Sequence, residues 1–159
     1  MFSFSEDKLN NLPDTLHALI TDDDNLISVL ANTSALLNQF LPDINWVGFY
    51  LLNSDNILTL GPFQGKVACT RIPVGKGVCG QAVLQQKVLR IDNVHQFDGH
   101  IACDSASNSE IVLPLYHQQK IIGVLDIDSP RFARFTEQEQ DILEQCINKL
   151  EQHLSTLSF

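Results

Sequence analysis

The stretch 110–129, EIVLPLYHQQKIIGVLDIDS, decides the fold, because it contains the clearest strand pattern in the chain. Its segments 110–116 and 121–129 are rich in apolar and β-branched residues. The polar residues 117–120 between them have the composition of a turn. Two such segments joined by a short turn predict an antiparallel hairpin.

The residues on either side of this hairpin predict further strands and helices. In the C-terminal segment, Thr136 is the predicted N-cap of a helix, and Glu139 completes a capping box because it stands three residues further on. Helices at both ends and meandering strands between them predict an α+β fold with a mostly antiparallel sheet. The other predicted strands are 44–52, 57–63, 67–72 and 88–91, and the other predicted helices are 9–21, 25–41 and 78–86.

Length and charge exclude several classes of protein. A chain of 159 residues predicts a single domain, residues 1–159. Its 19 acidic and 10 basic residues give a formal charge of -9, which disfavours binding to nucleic acid and to anionic membranes. The N-terminus has no basic segment followed by an apolar one, so no signal peptide is predicted and a cytoplasmic location is expected. Thiols are normally kept reduced there, so the cysteines are expected to be core residues, metal ligands or reactive thiols.

The spacing of Cys69, Cys79, Cys103 and Cys146 argues against a structural zinc site, since it contains no CxxC pair and no histidine at zinc-finger spacing. Cys146 lies on the apolar stripe of the predicted C-terminal helix, so it is expected to be buried. Cys103 lies in the polar stretch 92–109, and a loop of that length in a compact domain is usually functional. Loop context alone leaves two interpretations equal: a reactive thiolate held by backbone N–H groups, or an incidental surface thiol.

Two acids in the predicted hairpin suggest a binding pocket. Asp126 and Asp128 stand two apart in a strand, so both project from one face while Leu125 and Ile127 enter the other. Strand geometry favours the interpretation that these acids face solvent. The functional alternative is a pocket that binds a cationic ammonium group.

Aromatic residues on one face of another predicted strand also suggest a binding surface. Trp46, Gly48 and Tyr50 alternate with Val47 and Phe49, so the first three share a face. Two aromatics that flank a glycine are expected to leave room above the sheet for an apolar ligand group. Aromatic residues in a strand are also common in cores, so both interpretations stay open.

Five segments, considered together, resemble the free methionine-(R)-sulfoxide reductases, a family built on a single GAF domain. The resemblance covers nearly the whole chain in family order and with family cysteine spacing. It implies a six-stranded antiparallel sheet flanked by N- and C-terminal helices, and often a homodimer. No cofactor or metal is expected. The matching segments are 45–50, 60–65, 69–80, 99–110 and 123–129.

The resemblance also implies a role for each matching residue. Cys103 corresponds to the attacking cysteine, Cys69 to its resolving partner, and Cys79 to a third family cysteine. The implied reaction reduces free methionine R-sulfoxide through a sulfenic acid and then a disulfide, which thioredoxin resets. The implied substrate-binding residues are the aromatics Trp46 and Tyr50, near the methyl end of the substrate, and the acids Glu110, Asp126 and Asp128.

A competing interpretation is a GAF-type sensor that binds a small ligand without turning it over. The absence of an attached output domain counts against it. A metal or haem sensor is disfavoured because His95 and His100 lack ligand spacing and are expected to be solvated. The glycine-rich run 72–80 matches neither the Walker pattern nor GxGxxG, so nucleotide binding is not predicted.

Overall fold

The computed structural model describes residues 6–101, 103 and 105–159. Residues 1–5, and Ala102 and Asp104 on either side of Cys103, lie outside the described part. A short 3₁₀ turn, Val94–Gln96, interrupts the long loop before the last two strands. The helices and strands are α1 Glu6–Asn10, α2 Leu12–Ile20, α3 Leu26–Phe40, β1 Trp46–Leu52, β2 Ile57–Gly65, β3 Arg71–Pro73, α4 Gly77–Gln85, β4 Leu89–Ile91, β5 Ser109–His117, β6 Lys120–Ser129 and α5 Glu137–Leu154.

The strands form one six-stranded sheet in the order β3-β2-β1-β6-β5-β4. Every neighbouring pair is antiparallel. The hairpin predicted from 110–129 is β5–β6, and β6 also pairs with β1, so these three strands form the middle of the sheet. The predicted α+β fold with a six-stranded antiparallel sheet and flanking helices is confirmed.

Alternation along the central strands gives the sheet two different faces. One face packs against α2, α3 and α5 and buries Val47, Phe49, Leu125 and Ile127, together with Cys146 of α5. The predicted burial of Cys146 is therefore confirmed. The alternate residues of the strands face the other way and pack with α4 in a second apolar cluster. This cluster contains Trp46, Tyr50, Val112 and Val124 of the sheet and Val78 and Ala82 of α4. The functional candidates lie on this second face.

Local chemistry accounts for the start of α5 and for the break before α2. The Thr136 hydroxyl accepts a hydrogen bond of 3.1 Å from the Glu139 amide, and the Glu139 carboxylate accepts one of 3.2 Å from the Thr136 amide, which confirms the capping box. The predicted helix 9–21 is instead two helices, because the chain turns at Asn11 and Pro13 stands in the first turn of α2. A proline there lacks only an amide that the helix would leave unbonded anyway.

Two predictions about the sheet are wrong. Of the predicted strand 67–72, only Arg71 and Ile72 pair with β2, in a strand that continues to Pro73, and residues 67–70 form a loop. The room expected above Gly48 is filled, because a Cβ at that position would collide with the Cβ and Cα of Phe63 on β2. Gly48 therefore permits close packing of β1 on β2, beside an irregularity in their register.

Among the described residues, no helix combines the length and the apolar character needed to cross a bilayer.

Candidate active site

The register of β1, β6 and β5 brings the predicted acids together. Asp128 stands opposite Trp46 of β1 on one side and Glu110 of β5 on the other. Asp126 stands two residues along β6, opposite Gly48. Because all three acids point to the face that α4 covers, they form one acidic cluster at the base of a cleft.

Burial makes this cluster electrostatically unusual. Glu110 is 7% exposed and Asp126 is 5% exposed, so the predominant expectation that the strand acids face solvent is wrong for Asp126. Burial, and then the neighbouring Asp126 and Asp128, raise the pKa of Glu110 well above its usual value. Burial also raises the pKa of Asp126, although hydrogen bonds with Glu110 and Cys79 oppose that rise. Burial and the two neighbouring acids therefore favour the protonated form of Glu110.

The aromatic residues predicted on β1 form a wall of the cleft. The rings of Trp46 and Tyr50 stack with centroids 5.8 Å apart, and Trp46 also stacks on Phe63 at 5.2 Å. The Trp46 indole N–H donates to the Lys66 carbonyl at 3.2 Å, and the Tyr50 hydroxyl donates to the Cys69 carbonyl at 2.9 Å. The two aromatics thus hold the loop that carries Cys69 as well as offering an apolar surface.

Two of the candidate cysteines are joined. A disulfide links Cys69 to Cys103 across 34 residues, with the Cα atoms 5.4 Å apart. Cys103 lines the cleft, beside Ile101 and His100. Because Cys69 belongs to the loop held by Tyr50, the disulfide connects that loop to the long loop before β5.

The third cysteine occupies a different position. Cys79 lies in the first turn of α4, is 4% exposed, and its Sγ lies 4.0 Å from Oε2 of Glu110. Burial, followed by the charges of Asp126 and Glu110, raises the pKa of this thiol. A protonated thiol is a poor nucleophile, so Cys79 is chemically unlike a reactive cysteine in this state.

Sequence reasoning missed the part that His100 has in the cleft. His100 was expected to be solvated but is half-buried and lines the cleft, and burial lowers its pKa, with a smaller contribution from His95. The available signals were its position three residues before Cys103 and its place in the matching segment 99–110. Phe63 does not line the cleft, but it stacks on Trp46, a contact that depends on the pairing of β1 with β2. His95 is exposed, as expected.

The raised pKa of Glu110 predicts how stability depends on pH. A carboxyl whose pKa is higher in the folded state binds its proton more readily there, so it stabilises the fold below the unfolded pKa of about 4.3 and this stabilisation is lost as pH rises. Glu110→Gln removes this titration. The free energy of unfolding of the variant minus that of wild type should therefore increase between pH 5 and pH 8. Urea unfolding of the disulfide-bonded protein in EDTA at both pH values measures this difference. Glu137→Gln, on the exposed first turn of α5, is the control, and equal trends for both variants would contradict the prediction.

Known proteins resemble this chain in sequence and in structure. A family model described as GAF domain matches residues 25–154, a range that contains every residue of the cleft. The chain is 59% identical over 143 residues to the free methionine-R-sulfoxide reductase of Escherichia coli K12, covering 90% of this chain and 86% of that protein. It is 42% identical over 135 residues to the protein of the same name from Saccharomyces cerevisiae, covering 79% of this chain and 75% of that one.

Solved structures agree with these sequence matches. The structure of fRMsr of Staphylococcus aureus in complex with substrate superimposes with a TM-score of 0.87 at 50% identity, covering 92% of this chain and 95% of that one. The free methionine-R-sulfoxide reductase of Neisseria meningitidis in complex with its substrate gives a TM-score of 0.91 at 38% identity, covering 98% and 96% of the two chains.

Proposed function

Since the chain belongs to the free methionine-R-sulfoxide reductases of the GAF domain family, we propose that it reduces free L-methionine (R)-S-oxide to L-methionine with Cys103 as the nucleophile. The observation that carries the proposal is the position of Cys103: it lines a cleft with buried acids at its base and is paired with a second cysteine. In this role the protein is an oxidoreductase that recycles oxidised methionine.

The acidic base and the aromatic wall of the cleft suit the two ends of the substrate. Asp126 and Asp128 hold the α-ammonium group, since hydrogen bonds between a carboxylate and a cation are strong. The stacked rings of Trp46 and Tyr50 contact the S-methyl end, because sulfur and methyl groups pack well on aromatic surfaces. The Tyr50 hydroxyl proton is committed to the Cys69 carbonyl, so this residue contributes its ring rather than a proton.

The chemistry transfers one oxygen atom from the substrate to the enzyme. The Cys103 thiolate attacks the sulfoxide sulfur and forms an S–S bond. The protonated oxygen then moves to the Cys103 sulfur as the S–O bond of the substrate and the new S–S bond break, so that methionine leaves with its sulfur lone pair restored and Cys103 becomes a sulfenic acid. The developing oxyanion needs a proton, and Glu110 is the acid that burial leaves protonated to supply it. Division of the three acids between charge and proton donation avoids the cost of ionising all of them together.

The second half of the cycle restores the thiol. The Cys69 thiol condenses with the Cys103 sulfenic acid, water leaves, and the disulfide forms before further oxidation can occur. Thioredoxin or a similar dithiol then reduces this disulfide by exchange and is itself oxidised. The Cys69–Cys103 disulfide of the structure supports this step, because the two residues already have the Cα separation that a disulfide needs.

Cys69→Ser should separate the two halves of the cycle. Without the resolving thiol, a reduced enzyme can still make one methionine per protein molecule, but the sulfenic acid cannot become the disulfide that thioredoxin recognises. Rapid-quench measurement of methionine should therefore show a burst near one equivalent, followed by a steady rate at least about tenfold below wild type. Cys146→Ser is the matched control, since that thiol is buried on the opposite face of the sheet. Wild-type steady turnover in Cys69→Ser would contradict the assigned role.

One coupled assay tests the whole proposal. Thioredoxin, its reductase and NADPH are supplied with the separated R and S forms of free methionine sulfoxide and with the same sulfoxide inside a peptide. Turnover of the free R form alone is expected, because a peptide-bound substrate lacks the ammonium that the carboxylates need and leaves them unpaired. Comparable rates on free and peptide-bound sulfoxide would contradict the assignment. Binding without turnover would favour the sensor interpretation.

We also infer a cytoplasmic homodimer with one GAF domain over residues 1–159. This inference comes from the family resemblance and the composition of the chain. Light scattering of the purified protein at several concentrations measures its assembly, and a monomer at every concentration would contradict the dimer.

A further inference from the structure

We propose that the base of the cleft binds a thiophilic divalent cation of the Zn²⁺ or Co²⁺ type through the Cys79 sulfur and carboxylate oxygens of Glu110 and Asp126. One ligand atom from each of these residues lies within 4.8 Å of the other two, and all three residues are buried. In a tetrahedral zinc site the sulfur and oxygen ligands stand about 3.5 Å apart, given bond lengths near 2.3 and 2.0 Å. Small side-chain adjustments therefore close the group around an ion.

An unsatisfied oxygen in the cleft independently points to a ligand. The hydrogen bonds of the Asp126 carboxyl with Glu110 and Cys79 leave its buried Oδ1 atom without a partner among the described residues, and the residue is 5% exposed. Asp126 nevertheless lines the cleft, so a small ion that enters it can reach this oxygen. A buried carboxylate oxygen without a partner is destabilising, and a bound cation would satisfy it.

The residues around the position favour a cation of this class. In the described part of the chain, the cleft is lined by no lysine or arginine, and its one basic residue is His100, whose pKa is lowered by burial. A thiolate with two carboxylates suits zinc and cobalt, whereas Mg²⁺ and Ca²⁺ prefer shells made of oxygen alone. Three protein ligands leave the fourth tetrahedral position for water.

Binding is balanced by the release of protons. The S–H bond of Cys79 breaks to give a thiolate ligand, the protonated carboxyl of Glu110 gives a carboxylate, and both protons go to solvent. No electron is transferred. Because Cys79 takes no part in the Cys69–Cys103 disulfide, the three ligands are present in the oxidised protein.

A cation here would compete with the substrate. This consequence, unlike the metal site itself, rests on the proposed function, in which Asp126 holds the substrate ammonium. Zn²⁺ should then act as a competitive inhibitor that raises KM and leaves kcat unchanged.

Cobalt titration of the oxidised protein tests the site directly. In this form the described free thiols are Cys79 and Cys146, so a thiolate-to-cobalt charge-transfer band must come from one of them. We expect the band in wild type and in Cys146→Ser, its loss in Cys79→Ser, and its displacement by Zn²⁺ but not by Mg²⁺. Asp126→Asn should keep the band and weaken cobalt binding by about tenfold or more, since even outer-shell substitutions cost 10- to 100-fold. Circular dichroism establishes that each variant is folded.

No charge-transfer band in wild type, or an undiminished band in folded Cys79→Ser, would overturn the proposal. If Cys79→Ser does not fold, Asp126→Asn decides the matter, and unchanged cobalt affinity in that variant would overturn it. A band that depends on Cys79, without any rise in KM when Zn²⁺ is added to the reductase assay, would support the metal site and contradict the assigned position of the ammonium. The two ideas can therefore fail separately.

Discussion

Cys103→Ser should abolish reduction of free methionine R-sulfoxide, with a loss of about 1,000-fold or more in kcat/KM. A serine hydroxyl is very weakly acidic and a poor nucleophile toward sulfur, whereas a thiolate is an intrinsically strong one. Cys103 is also the one cysteine of the described residues that lines the cleft without being buried beneath it. The loss should therefore appear in the burst as well as in the steady state, unlike that of Cys69→Ser.

The measurement compares wild type, Cys103→Ser and Cys146→Ser in the thioredoxin-coupled assay. Cys146 of α5 is 2% exposed and belongs to the core between the helices and the sheet. Cys146→Ser therefore controls for the loss of a thiol outside the cleft. Substrate binding, followed by calorimetry, should survive in Cys103→Ser because the acids and aromatics are unchanged. If Cys103→Ser retained turnover near the wild-type rate, the nucleophile would have to be another group.

Asp126→Asn and Asp128→Asn should each lower kcat/KM by about 10- to 150-fold. Each substitution removes a charge-assisted contact to the substrate ammonium, and such a contact is worth about 1.5–3 kcal/mol. If the acids act mainly in binding, the loss should appear chiefly as a rise in KM. Glu110→Gln should instead lower kcat, because it removes the proton that the sulfoxide oxygen needs.

Asp141→Asn, on the exposed side of α5, is the matched control and should leave both constants unchanged. Thermal unfolding of each variant separates a loss of contact from a loss of structure. The assigned roles would fail if Asp126→Asn and Asp128→Asn each stayed within about threefold of wild type, since a lost charged contact should cost more than that.

Much of the fold could be predicted from local patterns. The β5–β6 hairpin, α3 and α5 follow from apolar periodicity and from capping residues such as Thr136, all of which act over a few residues. Residues 67–70 of the predicted strand 67–72 have a composition that suits a strand but form a loop, because their conformation depends on hydrogen bonds from Trp46 and Tyr50 on a distant strand. The filled space above Gly48 depends on the pairing of β1 with β2, which no local pattern encodes.

Some features of the candidate site could likewise be predicted from local sequence, and others could not. Composition and loop context singled out Cys103, and strand alternation placed Asp126 and Asp128 on one face, since both arguments need only neighbouring residues. The burial of Asp126, the position of Cys79 beside Glu110, and the part of His100 in the cleft could not be predicted in this manner. They arise where α4 and the long loop cover the sheet, and that covering depends on residues far apart in the chain.

By itself, then, the sequence determined the α+β class, the family, and the candidate residues for the proposed chemistry, because spacing and alternation act locally. Only the tertiary structure decided that burial raises the pKa of Glu110 and that the Cys79 thiol lies beside this acid at the base of the cleft. The reason is that pKa values and ligand geometry depend on burial and on distances between groups, and the pairing of β1, β6 and β5 under α4 creates both.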